Sequence, residues 1–226
     1  VKPDEISIVI PALNEADHIA PCIDSALASG ATEIIVSDGG STDATASIAQ
    51  NSGAGHVIRS LPGRGIQMNS GSVFARGKAI LFLHADSRLG KDTLDQICRL
   101  DDEWVWGACR QRIESSERIY RWIESGNAAR VRWMSMAFGD QAIFVRRDVF
   151  KSVGGFSESP LMEDVELSKR LRSRGRPKLI DGPVITSARR WQNRGPVRQT
   201  LLNWRIQIAY KLGVAPETLA DWYRGK

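Results

Sequence analysis

The chain contains no apolar run approaching the roughly 18 residues of a membrane-spanning helix. Cysteine is scarce. Cys22, Cys98 and Cys109 are odd in number and far apart, and their spacing fits neither a zinc site nor a disulfide framework. They read as reduced thiols of a cytoplasmic protein, with Cys22 and Cys98 on the apolar faces of helices. Val1-Lys2-Pro3-Asp4-Glu5 leads directly into a short strand, so no signal peptide is expected. Two phosphate-binding signatures are missing. The first is the Gly-x-Gly-x-x-Gly turn of dinucleotide folds; the second is the Gly-x-x-x-x-Gly-Lys-Ser/Thr loop of nucleotidases. There is no internal repeat, low-complexity tract or long linker. At 42% apolar and 25% charged residues the composition is that of a globular chain, which excludes extended disorder.

What is present alternates. Residues 6–10 (ISIVI), 33–38 (EIIVSD), 56–59 and 79–83 (AILFL) read as strands. Residues 15–29, 42–52 and 66–75 carry helical spacing, with Asn14 as an N-cap for the first. That rhythm predicts an α/β fold with a mostly parallel central sheet and helices on both faces. Strands with little polar alternation suit burial on both sides. Beyond Asp86 the pattern loosens. Helices are expected at 91–99, 117–132, 163–172 and 197–212, and strands at 104–110, 141–145 and 178–187. Residues 1–190 are expected to form one domain, with 191–226 as its basic helical extension. Residues 189–226 hold eight Lys/Arg against two acids, a net +6 compared with +5 for the whole chain. Such a helix can lie on the domain or meet phosphate or an anionic membrane.

In an open parallel sheet, ligands bind beyond the carboxyl ends of the strands. Three such ends carry Glu15, Asp38 and His84-Ala85-Asp86. A carboxylate there can accept from a ribose or base, hold Mg²⁺ or Mn²⁺ on a phosphate, or act as a base. Capping explains Asp43, in the first turn of a helix, better than it explains Asp86. A second acidic pair, Glu163-Asp164, opens a helix, a position that the helix dipole favours in any case. The turn Gly154-Gly155-Phe156 just upstream can bring that pair towards the rim.

With these residues in place, the sequence resembles the family 2 glycosyltransferases, which have the GT-A fold. The resemblance covers about residues 5–190 and rests on five segments in order: SIVIPALNEADHI, IIVSDGGSTDAT, GRGIQMNSGSVFARGKAILFLHADSRL, FVRRDVFKSVGGF and MEDVELSKRLRSRG. Within the family it is most similar to a small bacterial subgroup associated with radical-SAM and selenium-related genes. The resemblance implies that Pro11, Asn14, Glu15, Asp38, Arg64, Asn69 and Ala85 hold the nucleotide, with Asp38 on the base. It implies Asp86, with His84, as the site of a divalent metal, Mn²⁺ or Mg²⁺. It implies Asp164 of the Glu163-Asp164 pair as general base, Asp140 and Gln141 where donor and acceptor sugars meet, and Arg189 or Arg190 on the leaving diphosphate. Two positions depart from the family pattern. His84 stands where the first aspartate of Asp-x-Asp is usual, and imidazole brings no negative charge, so weaker metal binding or a shift towards Mn²⁺ is expected. Gly39 replaces a second aspartate beside Asp38.

The implied reaction is an inverting transfer of a sugar from a UDP-sugar to an acceptor hydroxyl, with a lipid-linked acceptor and peripheral membrane contact through the basic C-terminal helix as one version. The rivals are a nucleotide-sugar binding protein that has lost catalysis and a nucleotidyltransferase, although PALNE is neither glycine-rich nor basic. No nucleic acid is expected as partner, because Trp204 falls on an apolar helical face and reads as core.

Overall fold

The computed structural model describes residues 1–225, apart from the side chains of Arg190, Gln192 and Asn193. Four strands form the first half: β1 (Ile6–Ala12), β2 (Glu33–Asp38), β3 (His56–Arg59) and β4 (Ala79–Phe82). They are joined by α1 (Ile19–Ala28), α2 (Thr45–Asn51) and α3 (Arg64–Phe74). Then come β5 (Ser87–Leu89), α4 (Thr93–Cys98), β6 (Trp106–Glu114), α5 (Arg118–Met134), β7 (Phe144–Arg146), α6 (Arg147–Ser152), α7 (Glu163–Leu171) and β8 (Lys178–Ser187). Helices α8 (Arg189–Arg194), α9 (Pro196–Lys211) and α10 (Pro216–Arg224) end the chain. Among the described residues the strands make one eight-stranded sheet in the order β3-β2-β1-β4-β7-β6-β8-β5. β1 pairs in parallel with β2 and β4, and β2 with β3. β7 runs against both of its neighbours, and β5 runs against β8. The sheet is therefore mostly parallel, as the alternation predicts.

Every residue of β1 is buried, because helices cover both faces of the sheet. Ile6, Ile8 and Ile10 pack with Ile19 and Ile23 of α1 on one side, while Val9 packs with Met68 of α3 and Phe82 on the other. Each such side chain contributes about 1.5–3 kcal/mol by leaving water. Phe82, Phe150 and Phe156 form a ring cluster with centroids 4.8–5.6 Å apart. This cluster pins the Gly154-Gly155-Phe156 turn, whose glycines have φ +81° and +68°, against the sheet just before α7. Cys22 and Cys109 are buried, Cys98 is half-buried, and all three are free thiols.

Two sequence expectations need correction. Asn14 does not cap α1, which begins five residues later, at Ile19. Asn14 adopts φ +54°, and its carboxamide accepts from Thr42 N at 2.9 Å, so it ties two loops together. Trp204 is not core: it is 61% exposed, and Leu201, Ile208 and Leu212, apolar residues near it in sequence, are exposed at 55–79%. The cause is a rotation of the buried face: α9 instead buries Ile206 and Ala209, which pack with Leu219 of α10 on Met136, Leu161 and Met162. Trp122 of α5 is likewise 80% exposed, while Ile119 and Ile123 beside it are half-buried against Tyr120 and Trp191. No described helix is long and apolar enough to cross a membrane.

Candidate active site

The carboxyl ends of β1, β2 and β4 lie side by side, and the loops after β1 and β2 are stitched together by polar contacts. Ser41 N donates to both carboxylate oxygens of Asp38 at 3.1 and 3.2 Å, and the Ser41 hydroxyl also donates to Asp38. Asn14 N donates to that hydroxyl at 2.9 Å, and Glu15 N donates to Thr45 Oγ1 at 2.8 Å. Asp43 accepts from Thr45 N at 3.0 Å and from Ala16 N at 3.2 Å, a capping role at the start of α2. Beneath these loops the buried Gln67 amide donates to the carbonyls of Ala12 and Ser37 at 2.7 and 3.0 Å. Pro11, Asn14, Glu15 and Asp38 thus belong to one rigid rim.

The second group lies around β4, the 3₁₀ turn Gly139–Gln141 and the start of α7. One cavity is lined by Arg64, His84, Asp140, Glu163, Asp164 and Trp191, among others. An adjoining one is lined by His84, Asp86, Asp140, Thr186, Arg189 and Trp191. His84, Asp140 and Trp191 are the shared wall. Close backbone approach allows this. A Cβ on Gly139 would lie 2.6 Å from His84 Nε2, and a Cβ on Gly65 would lie 2.1 Å from the carbonyl oxygen of Ser157. Met162, immediately before the acid pair, is held at φ +70°, and Ala142 at +44°. Non-glycine residues there cost on the order of 1–3 kcal/mol, and packing must hold them.

Asp164 is fixed from two sides. Gly139 N donates to its Oδ2 at 2.8 Å and Val165 N to its Oδ1 at 2.7 Å. Burial, and then the negative charge of Glu163, push its carboxyl up to about 6, against the pull of Arg64 and the two backbone donors. Glu163 is buried and pairs with Arg64, Nε to Oε1 at 3.1 Å. Arg64 therefore offsets the charge of Glu163, one of the two acids of the pair. Asp140 accepts from the Gln111 amide at 2.8 Å through Oδ2, while its Oδ1 is buried without a hydrogen-bond partner among the described residues. Gln111 also reaches Thr186 and Asn127, so it sets the position of Asp140.

Other expected residues lie elsewhere. Asn69 lines neither cavity: its amide donates to the Phe156 carbonyl at 2.9 Å and accepts from Phe156 N at 2.8 Å, which spends both ends on the loop before α7. Gln141 is fully buried. Its carbonyl oxygen accepts from Arg130 at 2.8 Å and from Phe138 N, so it backs Asp140 without reaching either cavity. Ala85 is buried between His84 and Asp86. Arg189 lies in the cavity with Asp86, its guanidinium 2.9 Å from His18 Nε2. The Arg190 side chain lies outside the described ones. Sequence reading missed Gln67, Gln111, Trp191 and Gln207. Only Trp191 left a signal, since it directly follows the Arg189-Arg190 pair.

No described group of three His, Cys, Asp or Glu residues forms a preassembled metal cage. The residues nevertheless suit a hard divalent cation. Asp86, Asp140 and His84 line one cavity, and Asp140 Oδ1 is a buried oxygen with no partner among the described residues. Magnesium-type sites commonly take one or two carboxylates and complete their shell from substrate phosphates and water.

The profile of the family described as "Glycosyl transferase family 2" matches residues 7–157. A "PGL/p-HBAD biosynthesis glycosyltransferase" of Mycobacterium bovis is 33% identical over 165 residues, which cover 67% of this chain and 62% of that protein. The chain thus spans less than two thirds of the length of this relative. Among solved structures, S. aureus TarS 1-349 in complex with UDP superposes with a TM-score of 0.63 at 18% identity, over 83% of this chain and 60% of that one. Glucosyl-3-phosphoglycerate synthase from Mycobacterium tuberculosis, in complex with Mn²⁺, UDP and glucosyl-3-phosphoglycerate, superposes with a TM-score of 0.57 at 20% identity, over 79% and 70%. These likenesses establish the fold as that of the GT-A transferases. None of these relatives bears the radical-SAM or selenium association of the subgroup that the sequence resembles.

Proposed function

This chain belongs to glycosyl transferase family 2, and we propose that its site transfers a sugar from a UDP-sugar to an acceptor hydroxyl with inversion at the anomeric carbon. The observation that carries this reading is Asp164: a carboxylate oriented by two backbone N–H groups, raised to about 6, and facing a cavity that adjoins the one holding Asp86 and Arg189. A base with that value is ionised at neutral pH yet basic enough to take a proton. The acceptor O–H proton passes to Asp164 as the acceptor oxygen bonds to the anomeric carbon. The bond from that carbon to the diphosphate breaks, and its electron pair leaves on the phosphate oxygen.

Asp86 and Asp140, with His84, would hold Mn²⁺ or Mg²⁺. When bound, the ion supplies positive charge to the diphosphate. Arg189 adds a fixed cation in the same cavity. The rim of Pro11, Asn14, Glu15 and Asp38 takes the nucleoside, with the Asp38 lone pairs that Ser41 leaves available accepting from the base. Two structures of this fold that hold UDP, one of them also Mn²⁺, support a nucleotide donor here by likeness.

The test is a thermal-shift screen of UDP-sugars with and without Mn²⁺, followed by proton NMR of the sugar released in slow donor hydrolysis. A bound donor raises the melting temperature, and the first-formed anomer should be inverted. A retained anomer removes the single-displacement reading. No shift with any nucleotide sugar removes the donor assignment.

A further inference from the structure

Of the seven tryptophans, Trp104, Trp106 and Trp191 are buried, whereas Trp122, Trp133 and Trp204 are 80%, 84% and 61% exposed. The three exposed rings line a single groove of about 650 Å³ between α5 and α9. Val197 and Leu201 of α9 continue the same apolar lining, each more than half exposed. Exposed apolar surface of this extent marks an interaction site.

We propose that the α5–α9 face docks on an anionic phospholipid bilayer. Charge selects this occupant. Arg132-Trp133, Val197-Arg198, Trp204-Arg205 and Lys211-Leu212 each set an exposed cation beside an exposed apolar side chain. Across both helices the only acid is Glu124, and it is taken up by Arg121 at 2.9 Å and by Ile113 N at 2.6 Å. Two-fold contact with a second copy would set these cations against themselves, because an isologous interface meets its own patch. A nucleic acid would satisfy the cations but has no use for Val197, Leu201 and Leu212. A bilayer satisfies both: indole rings sit at the headgroup level, aliphatic side chains enter below it, and Lys and Arg meet anionic lipid.

Gln207 lines both this groove and the cavity of Asp164. Docking would therefore set the acceptor side of the site against the membrane. If the transferase reading above holds, the acceptor hydroxyl is carried on an amphiphile. The docking itself does not require that reading, and its test uses no nucleotide sugar.

The experiment is co-sedimentation of the full chain with phosphatidylcholine vesicles, with and without about 30% phosphatidylglycerol. Binding is expected only to the anionic vesicles, weakening at least about tenfold when NaCl rises from about 0.1 to 0.5 M. The triple variant Trp122→Ser/Trp133→Ser/Trp204→Ser should lose at least about tenfold in partition while melting cooperatively. Arg198→Gln and Arg205→Gln should each cost about fivefold. Brominated lipids should quench the fluorescence of the wild-type protein, a readout that needs no variant. The proposal is overturned by equal binding to neutral and anionic vesicles, by absence of quenching, or by a lipid-free dimer that the triple variant dissolves. Tighter salt-dependent binding to DNA than to vesicles overturns it too.

Discussion

Arg64 Nε lies 3.1 Å from Glu163 Oε1, which joins the first residue of α3 to the first residue of α7. Glu163 retains only 2% of its exposure, and its Oε2 has no hydrogen-bond partner among the described residues. The pair is thus a buried charge with one compensating cation, set directly beside Asp164. It controls the charge of the proposed base more than it controls the shape of the site.

Asp164→Asn should reduce turnover by about 10²–10⁴-fold with little change in donor KM, because the carboxylate is needed for proton removal. In the wild-type protein the rate should rise with pH through an acid limb near 6, where Asp164 ionises. Initial rates against pH check both, and a limb that persists in the variant would assign it to another group.

The neighbours of Asp164 should move that limb in opposite directions. Glu163→Gln removes a negative charge that raises Asp164, so the limb falls. Arg64→Met removes a positive charge that lowers it, so the limb rises, by on the order of one pH unit. Arg64→Met also strands a buried carboxylate, at a cost of about 3 kcal/mol in urea unfolding. Glu163→Gln should cost much less, since it deletes the buried charge itself.

Stability carries the same signature. Asp164 ionises at 3.8 in the unfolded chain and near 6 in the fold, so between these values the native state keeps a proton that the unfolded state has lost. Its contribution is fully present below 3.8 and is lost as pH rises through 6. Relative to the wild type, Asp164→Asn should gain about 2 kcal/mol between pH 4 and pH 7. Denaturant titrations at the two pH values measure the difference, and equal gaps at both would contradict it.

Gly139→Ala places a methyl group 2.6 Å from His84 Nε2. The ring must yield, and with it the wall shared by the two cavities. Turnover should fall at least about tenfold, because small displacements of reacting groups are costly. The melting temperature should change by only a few degrees.

Asn69→Ala should destabilise the fold by about 1–2 kcal/mol, since it removes two hydrogen bonds and leaves Phe156 N and its carbonyl without the amide. Donor affinity, read by calorimetry with UDP and Mn²⁺, should stay within about twofold. A large loss of affinity would return Asn69 to the nucleotide site.

The ordered motifs made several residues of the candidate site legible. Glu163-Asp164, His84, Asp86 and Asp140 all border the two linked cavities, and Asp38 and Asn14 share a rim through Ser41. Asn69 and Gln141 spend their amides within the protein, a use that sequence does not show, because an amide reads the same whether it meets a ligand or a backbone. Trp204 misled because the helical period gives a stripe without saying which stripe another helix will cover.

From its sequence alone this chain was committed to alternating strands and helices, to β1 as a strand buried on both faces, and to acids at the ends of three strands. Those outcomes follow from local pattern and from the rule that loops after parallel strands share one edge of the sheet. Tertiary structure alone decided that Arg64 neutralises Glu163, that Asp164 is raised to about 6, and that Trp122, Trp133 and Trp204 face outward together. Each depends on how much water and which charge surround a side chain, and the chain acquires those surroundings only when segments about a hundred residues apart, such as α3 and α7, come into contact.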